Sequence, residues 1–183
     1  MVEMVKKTIV FFLLFGCTGV RSLMPASPTV EQFAEIQTKR HLRVAIVAEA
    51  EDEGMRNAVH QTFETMNDLY GVGLGAYTFI PVDLSGVKTH LQMYNKVGKQ
   101  ISSLDSKKAD IFIIFSQRIL LEDLLGILSL GSAEEKYNRF VFVRVRNSLL
   151  LQHELEHILG AKDAFYPEQN LEVVLKNKWR TFE

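Results

Sequence analysis

The sequence has almost no cysteine: Cys17 is the single one in 183 residues. That excludes an intrachain disulfide and any metal cage built from thiolates. Net charge is also nearly absent, −1 at pH 7 from 21 basic and 22 acidic residues. Without a basic excess or a cationic run, nucleic acid is not a partner, and the acidic surplus is too slight to imply a basic one. Four prolines and eleven glycines are spread along the chain, leaving no low-complexity segment and no internal repeat. Methionine stops early, since none follows Met93. What is present is apolar: 47% of residues are hydrophobic, enough for one domain with a real core.

The N-terminus has its own pattern. Lys6-Lys7 precede an apolar run from Thr8 to Phe15, and Leu14-Phe15-Gly16-Cys17 follows at once. A positive start, a short apolar stretch and a small residue before the break describe a secretory signal peptide, because the run is too short to cross a bilayer. Leucine three before the cysteine and glycine just before it are similar to a bacterial lipobox. Residues 1–16 are therefore expected to be a signal peptide, with Cys17 as the lipid-bearing first residue of the mature chain. Residues 17–29, with Pro25 and Pro28, read as a tether to a domain spanning 30–183. This organisation implies an extracytoplasmic protein held on the cell-envelope membrane by lipid.

The chemistry concentrates at His153-Glu154-Leu155-Glu156-His157-Ile158-Leu159-Gly160-Ala161-Lys162-Asp163. On a helix, histidines at i and i+4 share one face, so both imidazoles reach one Zn²⁺ at about 2.0–2.1 Å. Glu154 stands about 100° round from His153. It is placed to hold a zinc-bound water and take its proton rather than to ligate. Leu151, Leu155, Ile158 and Leu159 give the helix an apolar back. Gly160 marks its end, and Asp163, three residues on, can return to the metal as third ligand with the fourth position left open. The rival for the motif is a core helix whose histidines are merely hydrogen-bonded.

The string HExxHxxGxxD resembles the zinc signature of the metzincin clan of metallopeptidases, in the snapalysin-like variant with aspartate as third ligand. It is also similar to that of archaemetzincins. The resemblance implies an α+β, zincin-like domain: a twisted mixed sheet of four to five strands, helices against it, and an active-site helix carrying HExxH. It implies a zinc-dependent endopeptidase acting on peptide or protein substrates. Metal would be held by His153, His157 and Asp163, and Glu154 would be the catalytic base. The sequence departs from the clan in having no methionine after Asp163 to form a Met-turn, and the part beyond the motif is minimal. That departure favours the alternative of a non-catalytic zinc-binding lipoprotein that keeps the fold as a binding module. The intact Glu154 opposes it.

Along the domain, periodicity predicts a short helix over Val30–Lys39, a strand over Leu42–Ala48 and a helix over Gly54–Tyr70 stopped by Gly71 and Gly73. A strand over Ala76–Val82 and a helix over Val87–Leu104, facing inward with Leu91, Tyr94, Val97 and Ile101, come next. Asp110–Phe115 is apolar on both faces, which predicts a central strand. Phe140–Val145 is the last strand, with Asn147 or Ser148 capping the motif helix. Between them, Gly126–Gly131 is where the family places an antiparallel edge strand, while a core helix over Ile119–Leu128 fits equally. The acidic run Glu49, Glu51, Asp52 and Glu53 is expected to serve a helix N-terminus rather than a cation. His41, His60 and His90 lack ligand partners at metal spacing. Tyr166 is read as packing under the site rather than as an oxyanion donor. A closing helix is expected over Glu168–Trp179, burying Leu171, Val174, Leu175 and Trp179.

Overall fold

A computed structural model describes residues 39–103, 109–118, 120, 131–133, 139–162 and 167–180. In chain order the elements are β1 (Arg40–Ala48), α1 (Glu53–Tyr70), β2 (Val72–Pro81), α2 (His90–Ser103), β3 (Ile111–Phe115), β4 (Gly131–Ala133), β5 (Phe140–Val143), α3 (Ser148–Ile158) and α4 (Pro167–Asn177). The expected signal peptide, tether and lipid site, the Val30–Lys39 helix except Lys39 itself, and Asp163 and Tyr166 lie outside the described residues. Among the described residues no helix is long and apolar enough to cross a membrane.

The strands form one sheet in the order β2-β1-β3-β5-β4. β1 pairs in parallel with β2 and β3, β3 pairs in parallel with β5, and β4 closes the edge antiparallel to β5. Alternation along the strands splits the core in two, because successive side chains point to opposite faces. Leu42, Val44 and Ile46 of β1 pack with Ile111, Ile113 and Phe115 of β3 under α1, α3 and α4. Ala45 and Val47 pack with Phe112 and Ile114 against α2 on the other face. A strand covered by helices on both faces has no solvent side, which is why β3 reads as an unbroken apolar run.

Four local differences from the sequence reading have physical causes. β2 begins at Val72, not Ala76. Only Gly71, at φ 66°, ends α1, with its N–H on the Asn67 and Met66 carbonyls. Gly73 and Gly75 are strand residues, and the register step from Leu42↔Leu74 to Arg43↔Ala76 leaves Gly75 as the extra residue of a bulge. A Cβ on Gly73 would come within 2.8 Å of the His41 imidazole, so the glycine serves close approach between strands. In α2, Leu91 is 53% exposed while Met93 joins Tyr94, Val97 and Ile101 in the core. Leu91 lies about 110° from the centre of that face.

At the sheet edge, the antiparallel strand expected over Gly126–Gly131 is found at Gly131–Ala133. Most of the competing Ile119–Leu128 helix lies outside the described residues. The last difference is at the C-terminus, where α4 ends at Asn177 and Trp179 is 50% exposed. Its place on the buried stripe Leu171, Val174, Leu175 is taken by Lys178, which is 0% exposed. Lys178 continues the i, i+3, i+4, i+7 spacing, and its apolar stem suits the position while its ammonium donates to the Tyr70 carbonyl at 3.5 Å. Trp179 instead takes the Arg40 guanidinium over its ring at 6.0 Å.

Candidate metal centre

α3 carries the motif, and its ends are built locally. Asn147 caps it, its side chain accepting from the Leu150 N–H at 3.0 Å. Leu151, Leu155, Ile158 and Leu159 are buried as the periodicity predicts. At the other end Ala161 N–H donates to the Glu156 carbonyl and Gly160 N–H to the His157 carbonyl, both at 2.9 Å. That bond pair is a Schellman turn, which needs a left-handed residue, and Gly160 has φ 90°. The Asn177 side-chain amide of α4 donates to the Leu159 carbonyl at 3.1 Å, so α4 holds the end of α3 from outside.

The turn positions a histidine. His157 Nδ1 lies 2.9 Å from the Ala161 carbonyl, which only accepts, so Nδ1 carries the proton and the Nε2 lone pair points away. His157 Nε2 is 3.1 Å from His153 Nε2, with the rings edge to face at 4.4 Å. Two Nε2 atoms bound to one tetrahedral zinc at about 2.05 Å would stand about 3.3 Å apart. The observed 3.1 Å fits a shared cation and equally a direct hydrogen bond between the two rings, and the Ala161 carbonyl on Nδ1 is the kind of partner that metal-binding histidines ordinarily have. Among the described residues no group of three His, Cys, Asp or Glu side chains gathers to hold a metal. The sequence-predicted third partner, Asp163, is outside them.

Two carboxylates flank the histidines. Glu154 is 0% exposed and Glu156 is 2% exposed. Glu156 Oε1 accepts from the Tyr70 hydroxyl at 2.7 Å and from the Gln152 amide at 2.8 Å. Sequence reasoning passed over Tyr70, Gln152 and Glu156 as functional residues. The available signal was a charged residue at an interior phase of the helix, four residues after a glutamine, where the motif asks for nothing polar.

The acidic run behaves as a helix start and a set of clamps. Asp52 caps α1, accepting from the Met55 N–H at 2.9 Å. It also takes the Arg146 guanidinium through Nε at 2.9 and 2.8 Å, just ahead of α3. Hydrogen bonding from Arg146 is the main cause that holds the Asp52 carboxyl below its ordinary range. Glu49 pairs with Arg118, and Glu51 meets Arg56 at 3.8 Å and the Tyr77 hydroxyl at 3.4 Å. The other histidines have structural surroundings: His41 against Gly73, His60 edge-on to Tyr77 at 5.9 Å, and His90 on Phe142 at 5.0 Å.

No family model matches the chain, and no curated protein matches it. Among solved structures it is similar to archaemetzincin from Methanopyrus kandleri, with a TM-score of 0.51 and 14% identity, over 76% of this chain and 97% of that one. At that identity the likeness shows the fold. The domain is an α+β, zincin-like fold similar to that of archaemetzincin.

Proposed function

We propose that this chain is a zinc-dependent endopeptidase whose centre is His153, His157, Asp163 and Glu154. The observation that carries the reading is the convergence of the two imidazole Nε2 atoms to 3.1 Å on a fold similar to archaemetzincin, with His157 Nδ1 fixed by the Ala161 carbonyl. In this reading His153 and His157 hold zinc through Nε2, and Asp163 supplies the third bond from beyond the Gly160 turn. When bound, zinc polarises the scissile carbonyl and lowers the pKa of water to about 7. Glu154 takes the proton from the attacking water and passes it to the leaving amine. Its complete burial raises the strength of that electrostatic interaction. The edge strand β4 offers backbone donors and acceptors along which an extended peptide substrate lies.

Glu154→Gln separates catalysis from binding. The variant should fold and keep about one zinc per chain, while cleavage of an unbiased peptide library falls by on the order of 10²–10⁴-fold. If zinc-loaded wild type cuts nothing between about pH 6 and 9, around the pKa of a zinc-bound water, the non-catalytic binding module replaces the enzyme. Equal cleavage by wild type and Glu154→Gln would remove Glu154 as the base. The same reading places the protein on the outer side of a membrane through lipid on Cys17. Cys17→Ser should lose both labelled palmitate and membrane fractionation in a bacterial host, and an unlabelled, soluble wild type would refute it.

A further inference from the structure

Apolar packing holds α3 against α1 and the sheet, but such contacts are non-directional and tolerate rotation of a helix about its axis. Rotation matters here more than translation of the backbone. An atom at the rim of a helix, about 5–6 Å from its axis, moves by about 2 Å when the helix turns by about 20°. Metal–ligand distances tolerate only about ±0.2 Å. Something directional must therefore fix the phase of α3, and it must act off the histidine face.

Glu156 is such a group. Its carboxylate is taken almost wholly out of water, at a site where a leucine would pack without a desolvation cost. Its Oε1 receives two donors at once, Gln152 one turn earlier on α3 and the Tyr70 hydroxyl from the last residue of α1. A second tie from α1 reaches the first residue of α3: the Thr62 hydroxyl lies 2.9 Å from the Ser148 carbonyl and 2.7 Å from that of Ala58. Thr62 to Tyr70 and Ser148 to Glu156 are both steps of eight residues, so the two ties hold α3 near both of its ends along the second half of α1. The Tyr70 carbonyl also receives Lys178 Nζ, joining the segment after α4 to the same point.

We infer that Glu156, held by Tyr70 and Gln152, is a positioning residue that sets the rotation of α3 and thereby the convergence of His153 and His157. The inference rests on the metal-site reading above. It is tested on the full chain by titrating Co²⁺ in place of zinc, following the visible d–d bands, and by measuring zinc affinity against a chromogenic chelator. Tyr70→Phe keeps the ring and removes the donor, and Glu156→Leu removes the acceptor. Each should shift the cobalt bands and weaken zinc binding by about tenfold or more, as loss of an outer-shell partner does. Glu156→Gln keeps an oxygen acceptor and should restore near-wild-type values. Val97→Ala, in the core on the opposite face of the sheet, lowers the unfolding midpoint without touching the clamp and should leave bands and affinity unchanged.

Wild-type cobalt bands and zinc affinity in both Tyr70→Phe and Glu156→Leu would overturn the clamp while leaving the metal site standing. Equal shifts in Val97→Ala would also overturn it, because general destabilisation would then suffice. Should Glu156→Leu not fold, Tyr70→Phe decides alone. A wild type that takes up no cobalt refutes the metal site itself, and the clamp with it.

Discussion

Gly160→Ala perturbs the one turn that joins the helix end to the histidine geometry. With φ at 90°, the residue occupies backbone space where an L side chain is strained by about 1–2 kcal/mol. The added Cβ would also meet Asn177 Nδ2 at 2.7 Å and Val173 Cγ1 at 3.4 Å. Asn177 must then withdraw from the Leu159 carbonyl, losing a bond worth about 0.5–1.5 kcal/mol. The two effects together predict a loss of about 2–3 kcal/mol in urea unfolding with an unchanged m-value. Asn177→Ala alone should cost about 1 kcal/mol, since it removes the same bond without straining the backbone. In that background Gly160→Ala should cost only the strain, so the double variant falls short of the sum of the singles by about 1 kcal/mol. Because the turn also aims the Ala161 carbonyl at His157, zinc affinity should fall in Gly160→Ala by more than in Asn177→Ala. A Gly160→Ala protein within about 0.5 kcal/mol of wild type, the ordinary range of a neutral substitution, refutes the steric argument. Additive singles refute the link through Asn177.

Two further outcomes are expected. Asn147→Ala removes the side-chain cap of α3 and should cost about 1 kcal/mol in chemical denaturation, with the stability restored by Ser or Asp at the same position. Asp52→Asn keeps the cap of α1, because asparagine caps as well as aspartate, and removes only the charge facing Arg146. The pair is more than one-third exposed, so the loss at neutral pH should be about 0.5 kcal/mol and smaller in high salt. A carboxyl whose pKa is lowered in the folded state contributes above its unfolded value, about 3.9, and the contribution disappears as pH falls through the lower folded value. Stability curves of wild type and Asp52→Asn should therefore converge below about pH 4, and a gap that widens in acid would contradict the assigned pairing.

The parts of the fold that were legible are those where a local pattern and the tertiary environment ask for the same thing. β3 is apolar on both faces because helices cover both, and α1 shows its buried stripe, acidic cap and terminal glycine in one continuous segment. The illegible parts depend on a partner distant in sequence. Gly73 looks like a helix breaker until His41, on the neighbouring strand, is seen to occupy the space a side chain would need. Lys178 looks like a surface residue and Trp179 like a core one, yet helical phase buries the lysine stem and leaves the indole on Arg40. Hydrophobicity ranks the two residues one way; geometry at the end of α4 ranks them the other.

A related limit applies at the centre, where the HExxH spacing assigns a role to Glu154 and leaves Glu156 without one. On a helical wheel Glu154 and Glu156 stand about 80° to either side of the direction shared by His153 and His157. Burial does not separate them either, since both are withdrawn from solvent. The difference is in what each flank faces. Glu156 points toward α1, where the Tyr70 hydroxyl and the Gln152 amide converge on one of its oxygens and hold the side chain in place. With that oxygen engaged, Glu156 is tied to α1, and in the proposed function it is Glu154 that moves the proton. On that proposal, the difference between two chemically identical side chains two residues apart originates on a different helix, in a tyrosine 86 positions earlier in the chain.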